Sequence, residues 1–228
     1  IPLKQNINNK SMLKKYNTLN DLFIDQINKE GYIRFINSKS EEEELSFSEF
    51  GANIKKCLGL FQNLGFKSDD EIVINTKSNI KFLECFWAAI LGGMIPVPIA
   101  VGVGEEHRKK LFKVLLQLKK PKLITDDNVH SRLVSLLKTK DQYISLTDVV
   151  SESLVDIEFQ DSGEIKENDP EDVAFIQYSS GSTSDPKGIV LTHKNLTTNI
   201  YAIAEGLDLC ENDIGMNWMP LTHDMGLI

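Results

Sequence analysis

The sequence predicts an α/β protein built on a mostly parallel, doubly wound sheet, with a helix and a hairpin ahead of it. Two observations carry this expectation. From residue 71 onward, short apolar runs alternate with stretches of helical length and periodicity, which implies βαβ units. The 228 residues, 41% apolar and 25% charged, also suffice for a sizeable core and exclude disorder, collagen and coiled coil.

The elements follow in order. Asn20 is the expected cap of a helix through Lys29, with Leu22, Phe23 and Ile27 on its apolar side and Gly31 ending it. Tyr32–Asn37 and Glu44–Phe47 are expected to pair across the polar turn Ser38–Glu43. Ser46 and Glu49 form a capping box, after which Phe50, Ile54, Leu58, Phe61 and Leu64 recur at helical spacing to Gly65. Strand Glu71–Asn75 precedes helix Asn79–Leu91, and strand Met94–Ala100 precedes helix Glu105–Lys119. Strand Lys122–Thr125 precedes helix Asn128–Leu137, with strand Gln142–Leu146 after it. An acidic connector over residues 151–172 leads to the apolar strand Val173–Tyr178, and a strand Ile189–Leu191 and a helix starting at Thr192 follow.

The connector holds nine acids against the single Lys166, which accounts for the whole net charge of −8. One acidic segment on a neutral body reads as a solvated connector and argues against nucleic acid as a partner. The bases Arg108, Lys109, Lys110, Lys113 and Lys119 sit above an apolar stripe of Leu111, Val114, Leu115 and Leu118, so they read as a solvated helix face rather than a phosphate patch. No aromatic residues interleave with them for base stacking.

Cys57, Cys85 and Cys210 stand far apart and read as reduced, intracellular core thiols, which places the protein in the cytoplasm. His107, His130, His193 and His223 show no metal-ligand spacing, so no metal site is expected. His193 reads as an ordinary surface residue. The run Cys85–Gly104 is uncharged over 20 residues, but its glycines, its prolines and the acidic flanks Glu84 and Glu105 favour a buried helix and strand over a membrane span. The chain begins without Met or an apolar signal region and stops without a cap or polar tail, and reads as an excerpt from a longer polypeptide.

Chemistry concentrates after the strand Val173–Tyr178. Five of the six residues Ser179, Ser180, Gly181, Ser182, Thr183 and Ser184 carry hydroxyls, and Lys187 and Gly188 follow. Such a loop lies where open α/β sheets bind ligands, beyond the carboxyl ends of strands. Its N–H groups, hydroxyls and lysine suit phosphate oxygens. It is not a Walker A loop, because Pro186 stands at the second glycine position and Gly188 replaces the hydroxyl residue after Lys187. Nor is it a nucleophile elbow, since no serine is flanked by glycines on both sides at two residues. Composition alone leaves a phosphate-binding loop and a serine-rich surface linker both open.

The segment Tyr178-Ser-Ser-Gly-Ser-Thr-Ser-Asp-Pro-Lys-Gly188 closely resembles the AMP-binding signature of adenylate-forming enzymes, a superfamily of acyl-CoA synthetases, luciferases, peptide-synthetase adenylation domains and fatty acyl-AMP ligases. Trp218-Met-Pro-Leu-Thr-His-Asp-Met-Gly-Leu-Ile228 is similar to its next motif, in the form typical of fatty acyl-AMP ligases, including loading domains of polyketide and peptide synthetases. Phe86-Trp-Ala-Ala-Ile-Leu-Gly-Gly-Met-Ile-Pro-Val-Pro98 is similar to a helix–strand segment near the start of the superfamily's sheet. Ser184 departs from the usual glycine, and Thr222 from the aromatic often found before the histidine.

The resemblance implies that residues 1–228 are the N-terminal portion of an acyl-adenylating domain. It implies that Ser179, Ser180, Gly181, Ser182, Thr183, Ser184, Lys187 and Gly188 hold the β- and γ-phosphates of Mg·ATP. By residue type His223 is a capping or core histidine; the resemblance places it near the acyl carboxylate and the α-phosphate. The implied reaction makes acyl-AMP from a carboxylic, fatty-type acid, with a phosphopantetheine-bearing carrier protein or CoA as acceptor. The implied adenine and ribose sites and catalytic lysine lie beyond Ile228. An acyl-CoA synthetase, an amino-acid adenylation domain and a non-catalytic nucleotide-binding or interaction module are the rival readings.

Overall fold

The first helix, α1 (Leu19–Ile27), is capped by Thr18 rather than Asn20 in the computed structural model, which describes residues 14–36, 42–102, 105–131, 149–151, 161–179, 185–210 and 213–227. Thr18 wins because Asp21 completes a reciprocal box with it. The Thr18 hydroxyl accepts from the Asp21 N–H at 3.2 Å, and the Asp21 carboxylate accepts from the Thr18 N–H at 3.3 Å. Asn20 lies inside the helix instead, buried, with its amide donating to the Lys166 carbonyl at 2.9 Å.

Strands β1 (Tyr32–Ile36) and β2 (Glu42–Ser46) pair antiparallel, with Tyr32 opposite Ser46. The expected box at Ser46 and Glu49 starts α2 (Phe47–Asn63). Then β3 (Glu71–Asn75), α3 (Asn79–Leu91), β4 (Ile95–Pro98), α4 (Glu105–Gln117), β5 (Pro121–Thr125) and β6 (Val149–Ser151) alternate. Residues 127–131 are helical. The remainder of the helix expected there, and the strand expected at Gln142–Leu146, lie outside the described residues. Among the described residues no helix is long and apolar enough to cross a membrane: the uncharged run after Cys85 divides between α3, a Gly92–Gly93 turn and β4.

The four strands form one parallel sheet in the order β4-β3-β5-β6. Alternate side chains face opposite ways. Ile72, Ile74, Ile124 and Val150 join the residues of α1, α2 and α3, while Val73, Val97, Leu123 and Val149 join Leu111, Val114 and Leu115 of α4. Helices therefore cover both faces, as in a doubly wound sheet. Each such side chain contributes roughly 1.5–3 kcal/mol on burial.

Strand β4 carries Pro96 and Pro98 and lies at the sheet edge. Ile95 and Ile99 donate to the Asp70 and Ile74 carbonyls of the β3 side at 2.9 and 3.0 Å. The prolines occupy the alternate positions, so the outward side of β4 offers carbonyls but no donors there. Strands β7 (Val173–Ser179) and β8 (Lys187–Thr192) make a separate antiparallel pair, and β7 runs beside β4 without a ladder between them.

Over residues 161–172 the acidic connector is solvated chiefly in its charged side chains. Asp161, Glu164, Glu167 and Asp169 are exposed, but the backbone is pinned. The Gly163 N–H donates to the Lys55 carbonyl at 2.8 Å, Gln62 exchanges hydrogen bonds with the Glu164 backbone, and the Lys166 N–H donates to the Leu91 carbonyl at 2.8 Å. Gly163 is required by proximity, because a Cβ there would sit 2.5 Å from the Gly59 nitrogen on α2.

Helix α5 (His193–Gly206) starts at Thr192 as expected, in a capping box with Asn195. Its first residue, however, is not on the surface. His193 is 1% exposed, and burial pushes its imidazole pKa down against the pull of Asp172 and Asp21. Cys57 and Cys85 are buried as expected, whereas Cys210 is exposed. Burial raises the Cys57 thiol pKa, with Cys85 adding to the effect.

Candidate active site

Strand β7 delivers the serine-rich segment. Ala174 to Tyr178 are buried, and the strand pairs with β8 so that Ser179 stands opposite Lys187 and Tyr178 opposite Gly188. The two ends of the loop are thereby held one strand spacing apart. Ser180, Gly181, Ser182, Thr183 and Ser184 lie outside the described residues. Lys187 is exposed at the first position of β8. A Cβ on Gly188 would meet the Ile176 Cγ2 at 3.0 Å and the Tyr178 Cζ at 3.1 Å, so glycine lets the Tyr178 ring lie over the strand pair. Burial, with the Glu71 charge added, raises the Tyr178 phenol pKa.

The far end of the loop is held by α4. Lys113 pairs with Asp185 at 2.7 Å, and the Gln117 amide donates to the Pro186 carbonyl at 3.2 Å. The basic face is solvated, as composition suggested, and Lys113 on it pairs with the exposed Asp185.

The second motif packs against the same strand. Leu221 and Leu227 are partly buried and pack on the core cluster that includes Phe175. The Gln177 amide on β7 donates to the Thr222 carbonyl at 3.2 Å, joining residues 45 apart in sequence. His223 follows immediately. It is exposed, and its backbone closes two turns, donating to Pro220 at 2.9 Å and accepting from Gly226 at 2.9 Å before the short helix α6 (Asp224–Leu227). Its Nδ1 accepts from the Met225 N–H at 3.3 Å. An imidazole that accepts at Nδ1 carries its proton on Nε2 when neutral, so it presents an N–H donor there.

The arrangement therefore brings Ser179, Lys187, Gly188 and His223 to one end of β7. Gln177 was missed from sequence, although a glutamine inside the apolar run Val173–Tyr178 was a visible signal. Among the described residues no group of three or more His, Cys, Asp or Glu could hold a metal ion.

Comparison with known proteins gives the family and the fold. A long-chain-fatty-acid–AMP ligase of Mycolicibacterium smegmatis is 27% identical over 199 residues, covering 86% of this chain and 31% of that protein. A medium-chain-fatty-acid–[acyl-carrier-protein] ligase of Teredinibacter turnerae is 46% identical over 59 residues, 26% of this chain and 9% of that one. The solved fatty acid AMP ligase from Legionella pneumophila superposes with a TM-score of 0.81 at 23% identity, covering 95% of this chain and 38% of that chain. The chain thus spans about a third of the length of the first of these relatives. The family described as AMP-binding enzyme matches residues 25–228, and with the motif-bearing strand, the histidine turn and the shared fold all in place, the chain belongs to that family.

Proposed function

We propose that this chain is the N-terminal part of an acyl-adenylating domain, most like a fatty acyl-AMP ligase, working in the cytoplasm. The observation that carries the proposal is the convergence at β7: the loop ends at Ser179 and Lys187 face each other, while Gln177 holds the Thr222–His223 segment at the same strand end. In this reading Ser179, Ser180, Gly181, Ser182, Thr183, Ser184, Lys187 and Gly188 cradle the β- and γ-phosphates of Mg·ATP. His223 donates from Nε2 to the carboxylate or α-phosphate oxygens.

The chemistry balances in two steps. A carboxylate oxygen attacks the α-phosphorus, the bond to the bridging oxygen breaks, and magnesium pyrophosphate leaves. A thiol sulfur then attacks the acyl carbonyl carbon, its proton is lost, and AMP departs. The thiol is a carrier-protein phosphopantetheine, with CoA as the rival acceptor. The protein's part is to position groups and neutralise charge, which N–H groups, hydroxyls and a lysine supply.

The test is ATP–pyrophosphate exchange by the natural polypeptide that carries this sequence, across a panel of fatty acids and amino acids. Exchange that depends on a fatty acid supports the reading. ATP binding without acid-dependent exchange, unchanged in Lys187→Ala, replaces it with a nucleotide-binding module.

A further inference from the structure

We propose that Gln177 is a positioning residue that fixes the height of the His223 turn against the phosphate-loop strand. The inference rests on the adenylation reading for its kinetic consequence, but its structural content stands apart. Gln177 is buried on β7, two residues before Ser179, and pairs with Ile189 in the ladder. Its side chain spans to the other motif, where Nε2 donates to the Thr222 carbonyl at 3.2 Å. The orientation of the amide follows from its partner, since only the NH₂ end can donate to a carbonyl.

The other end of the amide is the informative part. Gln177 Oε1 is buried and has no hydrogen-bond partner among the described residues. A buried polar group left half satisfied opposes folding, and an apolar residue would suit better the strand face that Gln177 shares with Phe175. What the glutamine gains over such a residue is the hold on Thr222. Leu221 and Leu227 provide non-directional apolar contact for the turn, whereas the hydrogen bond from Gln177 is directional and favours one register of the turn against β7. The turn then propagates that register, since His223 N–H donates to Pro220 and the Met225 N–H donates to His223 Nδ1. Gln177 thus acts through the turn on the direction of the imidazole, and does not itself touch the reacting atoms.

The experiment uses Gln177→Met, which keeps an unbranched side chain, Gln177→Glu, which keeps the volume but not the donor, His223→Ala, and Gln177→Met combined with His223→Ala, all in the natural polypeptide. Amide hydrogen exchange is read over residues 217–226 and over β3 and β5. Exchange in 217–226 should rise at least tenfold in both Gln177 variants while β3 and β5 stay unchanged. In ATP–pyrophosphate exchange, kcat should fall ten- to a hundredfold with the ATP KM within twofold, and the double variant should be no slower than His223→Ala alone. Unchanged amide exchange at 217–226, or losses that multiply in the double variant, overturns the proposal. A wild-type polypeptide that makes no acyl-AMP overturns the adenylation reading, and the amide exchange then still decides for or against the Gln177 tether.

Discussion

The Leu19 N–H donates to Nδ1 of His193 at 3.1 Å, tying the start of α1 to the first residue of α5 across 174 positions of sequence. His193 can accept this bond only when Nδ1 is unprotonated. Its own N–H donates to the Asp172 carbonyl at 3.2 Å, so a single residue joins the N-terminal helix, the end of the acidic connector and α5.

This makes part of the stability pH-dependent. Burial lowers the folded-state pKa of His193 below the ordinary value of about 6.5, so the unfolded chain takes up the proton first. Stability is then full above about pH 6.5 and declines as the pH falls through the folded-state value. His193→Asn, which keeps an acceptor without titrating, should flatten the fall in melting temperature on the acid side. Parallel wild-type and variant curves would show that other groups set the slope.

Lys187→Ala should slow adenylation by about ten- to a hundredfold, since a charge-assisted hydrogen bond is worth roughly 1.5–3 kcal/mol. The side chain is exposed, so the melting temperature should hold. Pyrophosphate exchange at saturating acid checks the first, and a rate within twofold of wild type removes Lys187 from the site.

Gly163→Ala should destabilise the fold by about 1–3 kcal/mol, because its Cβ would press on the α2 backbone, which has little room to yield. Urea denaturation gives the value. A neutral result would mean that the connector can lift from α2 without loss.

The natural polypeptide should accumulate acyl-AMP and pass the acyl group to a phosphopantetheinylated carrier in preference to CoA. Chromatography of products with each acceptor decides it; rapid CoA-dependent thioester formation would favour the CoA synthetase reading.

Residues 1–228 alone should not adenylate. Effective positioning supplies roughly 7–11 kcal/mol of such barriers, and a partial site forgoes much of it. Ile214, Met216 and Trp218 are also exposed, so self-association of the isolated chain should appear in light scattering. Exchange by this piece at the rate of the natural polypeptide would relocate the catalytic groups.

The sheet was legible because its signals are local. Glu71–Asn75 and Asn79–Leu91 were read to the residue, each bounded by turn residues and, for α3, by the Ser78 cap. One misreading was local, since Thr18 and Asp21 box the start of α1, and both misread residues also have distant partners. Asn20 looked like a cap, but its amide serves Lys166, and His193 looked exposed until α1 docked on it. The motifs of the candidate site were legible, through Lys187, Gly188 and His223, but the pin between them was not. A glutamine inside an apolar run signals that a polar partner is needed, but nothing near it names a carbonyl 45 positions away as that partner.

The prolines of β4 bear on how the strand pair carrying the motifs is held. Because Pro96 and Pro98 offer no donors outward, β7 is coupled to the parallel sheet through side chains such as Ile176, Tyr178, Val97 and Ile99 rather than through a ladder. Lys187 and Gly188 are therefore carried on a strand pair that is locked to the sheet by interdigitated side chains and by the α4 contacts to Asp185 and Pro186, so a change of side-chain volume at this seam would be felt at the loop.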